Sequence, residues 1–146
     1  MTKTTLVVGL DGSEAGDRAL AFAKDKARRI GDCTIALCYV IEWSPYSFQT
    51  PEENAQRHAR REEELKIAHQ RVLDPALATA RAEGFDVTGT VKHGHVAEIL
   101  NEVAAELGAT QIYIGRVGAR GLKERIFGSV VSHLVAAATV PVVIVP

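Results

Sequence analysis

The sequence predicts an α/β protein with a single domain over residues 1–146, built on a doubly wound parallel sheet of five strands in the order 3-2-1-4-5 with helices on both faces. Two observations predict the parallel sheet with helices on both faces. Short apolar runs alternate along the chain with longer stretches of helical periodicity, and such alternation gives parallel strands joined by right-handed crossover helices. In addition, the run at residues 34–41 is almost wholly apolar, which is typical of a central strand that helices cover on both faces.

The first strand is predicted over Thr4–Leu10, a run rich in β-branched residues that ends in a turn at residues 11–13. Ser13 is a typical helix N-cap, so the first helix follows at once, and Gly31 supplies its left-handed stop. One face of this helix is apolar, and we expect it to pack on the sheet. The residues of that face are Leu20, Ala23, Ala27 and Ile30.

A long charged stretch follows the second strand and the loop at residues 42–51. Its composition over residues 52–83 favours a mostly solvated helix with a narrow apolar stripe. Pro75 lies inside this stretch and lacks a backbone N–H, so we expect a kink or a division into two helices, with Asp74 as the cap of the second. The stripe consists of Leu65, Ala68, Val72 and Ala76.

The remaining elements continue the alternation. They are a third strand at residues 85–92, a helix over Val96–Leu107 that Gly108 caps, a fourth strand at Gln111–Gly115, a final helix from Gly128 and Ser129 to about residue 138, and a last strand at Val142–Val145. The inward face of the helix over Val96–Leu107 is expected at Val96, Ile99 or Leu100, Val103 and Leu107. The last strand would be an apolar sheet edge, which predicts a homodimer paired through Val142–Val145.

Composition and charge exclude several classes of partner. A formal net charge of −1 shows no excess of basic residues that could bind the phosphates of a nucleic acid. The first apolar run, at residues 6–10, is too short for a signal peptide or a membrane span, so we expect a cytoplasmic protein. Cys33 and Cys38 would face opposite sides of one strand, which predicts two free, buried thiols rather than a disulfide.

Ligands of doubly wound sheets bind beyond the carboxyl ends of the strands, where the strand order reverses. Here the reversal would bring together the loops at residues 9–12 and 115–118. Glu14 and Asp17 already occupy the first turn of the first helix and would repel a phosphate. Asp11 beside them is better suited to hydroxyl groups, with ribose as the first candidate.

Phosphate groups are expected at the last helix instead. It begins at Gly128 and Ser129 without an acidic residue, and the loop before it is rich in glycine and in cationic side chains. The cations are Arg116, Arg120, Lys123 and Arg125, and the glycines are Gly115, Gly118, Gly121 and Gly128. The alternative is that these cations are ordinary solvated surface residues.

The glycine spacing favours the phosphate interpretation. Gly115-x-x-Gly118, nine further residues and Gly128-Ser129 resemble the motif of the ATP-binding branch of the UspA-like universal stress proteins. The resemblance also includes the segments at residues 7–13 and 140–145, and so extends over the whole chain. It implies a Rossmann-like fold of the adenine nucleotide alpha hydrolase type, and ATP with Mg²⁺ or Mn²⁺ bridging the phosphates.

The resemblance also implies roles for individual residues. Gly9 and Asp11 would line the nucleoside pocket, and the backbone of Val40 would contact adenine. The residues that would wrap the phosphates are Gly115, Arg116, Val117, Gly118, Gly128, Ser129 and Val130. Arg120 is a further candidate for phosphate contact because it belongs to the same cationic loop. Arg116 and Val96 depart from the residues common in the family. Arg116 would either clamp phosphate or block the pocket by its bulk, and we favour clamping.

The resemblance, together with these patterns, implies a nucleotide-responsive binding or signalling module in the stress response, with little or no hydrolysis and an unidentified client protein. No P-loop is present. The alternatives are a slow ATPase or phosphotransferase using Ser129 or His95, and a stress protein that acts through protein contacts alone. His93 and His95 are interpreted as a polar turn rather than a metal site. The aromatic loop with Trp43, Tyr46 and Phe48 would cover the adenine, face a partner or cover the edge of the core.

Overall fold

The computed structural model describes residues 3–42, 50–116 and 129–146. Helices and strands alternate along these ranges, as predicted. The elements are β1 (Thr4–Leu10), α1 (Glu14–Ile30), β2 (Cys33–Glu42), α2 (Pro51–Ala68), a π-helical turn (His69–Leu73), α3 (Asp74–Ala82), β3 (Asp86–Gly94), α4 (Val96–Leu107), β4 (Gln111–Gly115), α5 (Ser129–Ala137) and β5 (Val142–Val145).

The five strands form one parallel sheet in the order β3-β2-β1-β4-β5, which confirms the predicted order. The chain moves outward from β1 through β2 to β3, then crosses to the other side of β1 for β4 and β5. β1 therefore lies at the centre, and the strand order reverses between β1 and β4. β5 is an edge strand of this sheet.

The sheet is buried on both faces, as the apolar second strand predicted. Leu6 and Val8 of β1 pack in a core under α1, the π-helical turn and α3, and the intervening Val7 packs in a second core under α4 and α5. Cys33 and Cys38 lie in different cores as free, buried thiols. Burial raises the pKa of the Cys38 thiol to about 11, so this thiol is protonated at neutral pH.

The helices α1 and α4 end at the predicted capping glycines, but the conformation of one of these glycines differs from the prediction. Gly108 adopts the left-handed helical conformation, whereas Gly31 has a positive φ of 88° but a ψ of −73°, outside that region.

Ile30 and Leu107 were expected to face inward and are 37% and 49% exposed. Each is the final residue of its helix and lies three residues beyond the last buried one, Ala27 in α1 and Ala104 in α4.

Pro75 is accommodated without a break in the helical chain. The π-helical turn His69–Leu73 comes directly before it, and the N–H of Asp74 donates to the carbonyl of His69, five residues earlier. Asp74 has helical backbone angles and makes no capping bond, so its predicted role as an N-cap is wrong. The wide turn makes room for the proline ring, and no separate helix start is needed.

Candidate functional site

A crevice opens at the carboxyl end of the sheet, between β1 and β4. The two strands pair from Leu6 opposite Gln111 to Val8 opposite Tyr113, and this pairing ends two residues before either strand ends. Beyond that point β1 continues beside β2, and β4 continues beside β5. Because the strand order reverses here, this is the place where the fold class binds its ligands.

Asp11 follows β1 at the edge of this crevice and is held by the start of α1. Its Oδ1 atom accepts a hydrogen bond of 3.0 Å from the Ser13 N–H and a short one from the Ser13 hydroxyl. The Ser13 Oγ atom in turn accepts from the Gly16 N–H at 3.1 Å, which makes Ser13 the N-cap of α1, as predicted. The carboxylate is half-buried and fixed in place.

The N-terminus of α1 is acidic in the structure as in the sequence. Glu14 and Asp17 lie in its first turn, and Glu14 is exposed beside Arg18, with 3.9 Å between Oε2 and Nη1. These carboxylates already interact favourably with the positive end of the helix dipole. The β1 side of the crevice is therefore a poor place for a phosphate and a suitable place for hydroxyl groups.

Gly9 and Val40 lie at the same end of the sheet as Asp11. A Cβ atom on Gly9 would come within 3.1 Å of both Ile114 Cγ2 and Leu100 Cδ1, so the glycine allows α4 and β4 to pack closely against β1. Val40 lies one residue beyond the paired Leu10 and Tyr39, and its side chain is buried in the core under α4 and α5. A ligand contact by Val40 therefore falls to its backbone, in line with the role that the resemblance implies.

On the opposite side, Gly115 ends β4 against the first turn of α1. A Cβ atom there would lie 2.7 Å from both the carbonyl carbon and the Cβ of Ala15. The next residue, Arg116, is exposed, and its N–H donates to the Val145 carbonyl at 2.7 Å. The backbone N–H of Arg116 is thus used within the sheet, and only its side chain is left to contact a phosphate.

The last helix has the acid-free start that the sequence indicated. Ser129 is exposed at the first position of α5 and Val130 is half-buried, with no acidic residue in the first turn. At the other end of α5, Asn101 of α4 donates to the Ala137 carbonyl at 3.2 Å and accepts from the Thr139 N–H at 3.1 Å. Asn101 thereby fixes the end of α5 and the approach to β5.

Several predicted residues lie outside the described residues. They are Val117, Gly118, Arg120, Gly121, Lys123, Arg125 and Gly128 of the phosphate loop, and Trp43, Tyr46 and Phe48 of the aromatic loop. The described part of the chain contains no group of three or more metal-ligating side chains. Nor does it contain a helix long and apolar enough to cross a membrane.

Sequence patterns missed the side chains that support this end of the sheet. The pKa of Tyr39 is raised by burial and by the negative charges of Asp11 and Glu64. His93 is nearly buried, and its Nε2 lies 3.2 Å from Glu64 Oε2, so it joins β3 to α2. The side of α2 on which Glu64 lies meets β3 only because of the way α2 packs. The charged sequence of α2 does not indicate this packing.

Known structures share this architecture. The universal stress protein UspA from Lactobacillus plantarum has a TM-score of 0.83 at 19% identity, covering 100% of both chains. A protein from the universal stress protein family from Burkholderia pseudomallei has a TM-score of 0.69 at 28% identity, covering 98% of this chain and 96% of that one. A universal stress protein in complex with cAMP has a TM-score of 0.61 at 25% identity, with 99% and 98% covered.

Among curated proteins no relative matches the chain. The model of the universal stress protein family matches residues 3–146. The described sheet has the predicted strand order, and the glycine pattern at residues 115–129 lies within the matched range. The chain therefore belongs to the universal stress protein family.

Proposed function

We propose that this protein binds ATP in the crevice between β1 and β4 and acts in the cytoplasm as a nucleotide-responsive module of the stress response, with little or no hydrolysis. The observation that carries the proposal is the contrast between the two sides of the crevice. Asp11 presents a fixed carboxylate on the β1 side. The β4 side presents the exposed Arg116 and the acid-free start of α5.

This contrast matches the two ends of a nucleotide. Carboxylate oxygens accept hydrogen bonds from sugar hydroxyls, and a helix N-terminus with a guanidinium nearby attracts phosphate oxygens. In this arrangement Asp11 contacts the ribose, the backbone of Val40 contacts the base, and Arg116 and Ser129 contact the phosphates. Val117, Gly118, Arg120 and Gly128 complete the phosphate site in this proposal on the basis of the sequence pattern.

The choice of an adenine nucleotide is supported by the universal stress protein that was solved in complex with cAMP. The choice of a triphosphate depends on the number of cations and glycines between residues 115 and 129. Mg²⁺ or Mn²⁺ would be held mainly through phosphate oxygens and water, as Mg²⁺ usually is at the phosphates of a nucleotide. Such an ion neutralises phosphate charge when bound.

Calorimetric titration with ATP and Mg²⁺ tests the proposal. We expect saturable binding that Arg116→Ala weakens about tenfold, because a charged hydrogen bond to phosphate is lost. Arg60→Ala, at an exposed position of α2, is the matched control and should bind as the wild type does. Absence of ATP binding by the wild type would refute the proposal.

Asp11→Ala tests the division of roles within the crevice. It should weaken ATP by about tenfold or more and leave inorganic triphosphate unchanged, because the proposed partner of Asp11 is the sugar. Equal losses for both ligands would contradict the assignment. Phosphate release followed over hours separates a binder from a slow ATPase.

We also propose that the protein is a homodimer paired through β5. This strand lies at the end of the sheet order with an apolar sequence, and exposed edges of this kind pair readily with a second chain. Val135 of α5 is 62% exposed, although it belongs to the short helix that packs beside β5. Light scattering at micromolar concentration should give twice the 15.7 kDa of one chain. A monomeric mass would refute the dimer.

A further inference from the structure

We infer that Ser13 and Gly16 are positioning residues for the Asp11 carboxylate and thereby set the affinity of the crevice for a nucleoside. The inference depends on the nucleotide binding proposed above. It concerns which oxygen of Asp11 meets the sugar and what holds that oxygen in place.

The first step is a chain of hydrogen bonds from the backbone of α1 to the carboxylate. The Gly16 N–H donates to Ser13 Oγ at 3.1 Å, and the Ser13 hydroxyl donates to Asp11 Oδ1. The Ser13 N–H donates to the same oxygen at 3.0 Å. Every bond in this chain joins a donor to an acceptor, because an ionised carboxylate can only accept hydrogen bonds.

The second step is the division of labour between the two carboxylate oxygens. Within the described residues, the hydrogen bonds of Asp11 involve Oδ1. Oδ2 is left to accept from a ligand. An N-cap needs only the bond from Gly16 to Ser13, so the two bonds to Asp11 go beyond what the helix start requires.

The third step is the space at Gly16. This residue lies within α1 and is buried, a position where glycine stabilises a helix less than alanine does. Its φ is not positive, so backbone conformation does not require glycine here. A Cβ atom would lie 3.0 Å from Asp11 Oδ1 and 3.5 Å from Ser13 Oγ. The absent side chain is what allows the carboxylate to lie against the helix start.

The test measures dissociation constants for two probes, adenosine and inorganic triphosphate. Ser13→Ala and Gly16→Ala should each weaken adenosine about tenfold and leave inorganic triphosphate unchanged. Ser13→Thr retains the hydroxyl and should restore adenosine binding. In an Asp11→Ala background, Ser13→Ala should have no further effect on adenosine, because Ser13 acts through Asp11.

Thr50→Ala is the matched control for loss of a helix cap. Thr50 Oγ1 accepts from the Glu53 N–H at the start of α2, as Ser13 does in α1. This variant should leave both probes unchanged. If the Ser13 and Gly16 variants keep wild-type adenosine affinity, or lose both probes equally, the positioning role is refuted while nucleotide binding stands. If the wild type binds ATP but not adenosine, the positioning role is refuted and nucleotide binding stands, whereas a wild type that does not bind ATP refutes both proposals.

Discussion

Gly115 shows how a single residue can serve the site through packing. The residue was expected to let the backbone approach a phosphate, but the structure places its missing side chain against the backbone and Cβ of Ala15 in α1. The glycine therefore sets the distance between the end of β4 and the start of α1. Ser13, which holds Asp11, lies two residues before Ala15 at the same helix start.

Gly115→Ala should destabilise the fold by about 1–3 kcal/mol, because the new Cβ would lie 2.7 Å from backbone that cannot move alone. Gly9→Ala is the comparison. Its new Cβ would meet the ends of the Ile114 and Leu100 side chains at 3.1 Å, which can yield, so we expect a smaller loss. Urea unfolding of the two variants measures both effects, and an equal loss would contradict this explanation.

Asp86 gives a residue-scale prediction about pH. The hydrogen bonds from Lys3 and Thr34 hold the pKa of this carboxyl below its usual range, with distances of 2.5 Å and 2.9 Å to Oδ2. A lowered pKa in the folded state contributes stability above the unfolded pKa, and this contribution is lost as the pH falls. The Lys3–Asp86 ion pair is exposed, so its contribution to the unfolding free energy is small and depends on the salt concentration.

Asp86→Asn should therefore flatten the pH dependence of the unfolding free energy between about pH 5 and pH 3. The same pair raises the pKa of Lys3, which adds stability that is lost at strongly alkaline pH, and the variant should lose that dependence too. Urea unfolding at a series of pH values in low salt measures the slope. An unchanged acid slope would exclude the contribution of this pair.

At the scale of elements, the π-helical turn is the feature that the sequence did not predict. Pro75 signalled an interruption, but a kink, a break and a wide turn are alternatives that differ in local packing rather than in sequence. Leu73 at the end of the turn is fully buried, and Gly89 of β3 makes room for it, since a Cβ there would lie 2.9 Å from Leu73 Cδ1. The fit between turn and sheet selects this geometry.

Leu73→Ala should lower the unfolding free energy by about 2–5 kcal/mol, because it leaves a cavity between the turn and β3. Leu107→Ala makes the same chemical change at the exposed end of α4 and should cost much less. Chemical denaturation of both variants measures the difference. Similar losses would show that Leu73 does not anchor the turn.

At the scale of the whole molecule, the alternation of apolar runs and helical stretches was sufficient to predict a parallel sheet with helices on both faces and most element boundaries, and the expected strand order 3-2-1-4-5 is the observed one. The crevice followed from that order, because the reversal of a doubly wound sheet fixes where strand ends separate. Arg116 shows what the sequence could not supply. Arg116 was expected to help wrap the phosphates, but the structure shows that its backbone N–H donates to Val145 beside β5, and such backbone partners are set by tertiary structure.

ATP binding should also be visible as stability of the entire domain. A ligand at about 100 times its dissociation constant adds about 2.7 kcal/mol to a fold that binds it only when native. For a chain of 146 residues this corresponds to a rise in Tm of roughly 5–10 °C. Thermal unfolding with and without ATP and Mg²⁺ measures the shift. Asp11→Ala at the same ATP concentration should shift less, and an unmoved wild-type Tm would contradict binding.

The two cysteines have a practical consequence for such experiments. Both thiols lie inside the folded domain on opposite faces of the sheet, and that of Cys38 stays protonated at neutral pH. Maleimide reagents attack accessible thiolates, so the native protein should resist labelling. A cysteine introduced at exposed Arg60 would then accept a fluorophore at one defined position, with Cys33 and Cys38 left in place.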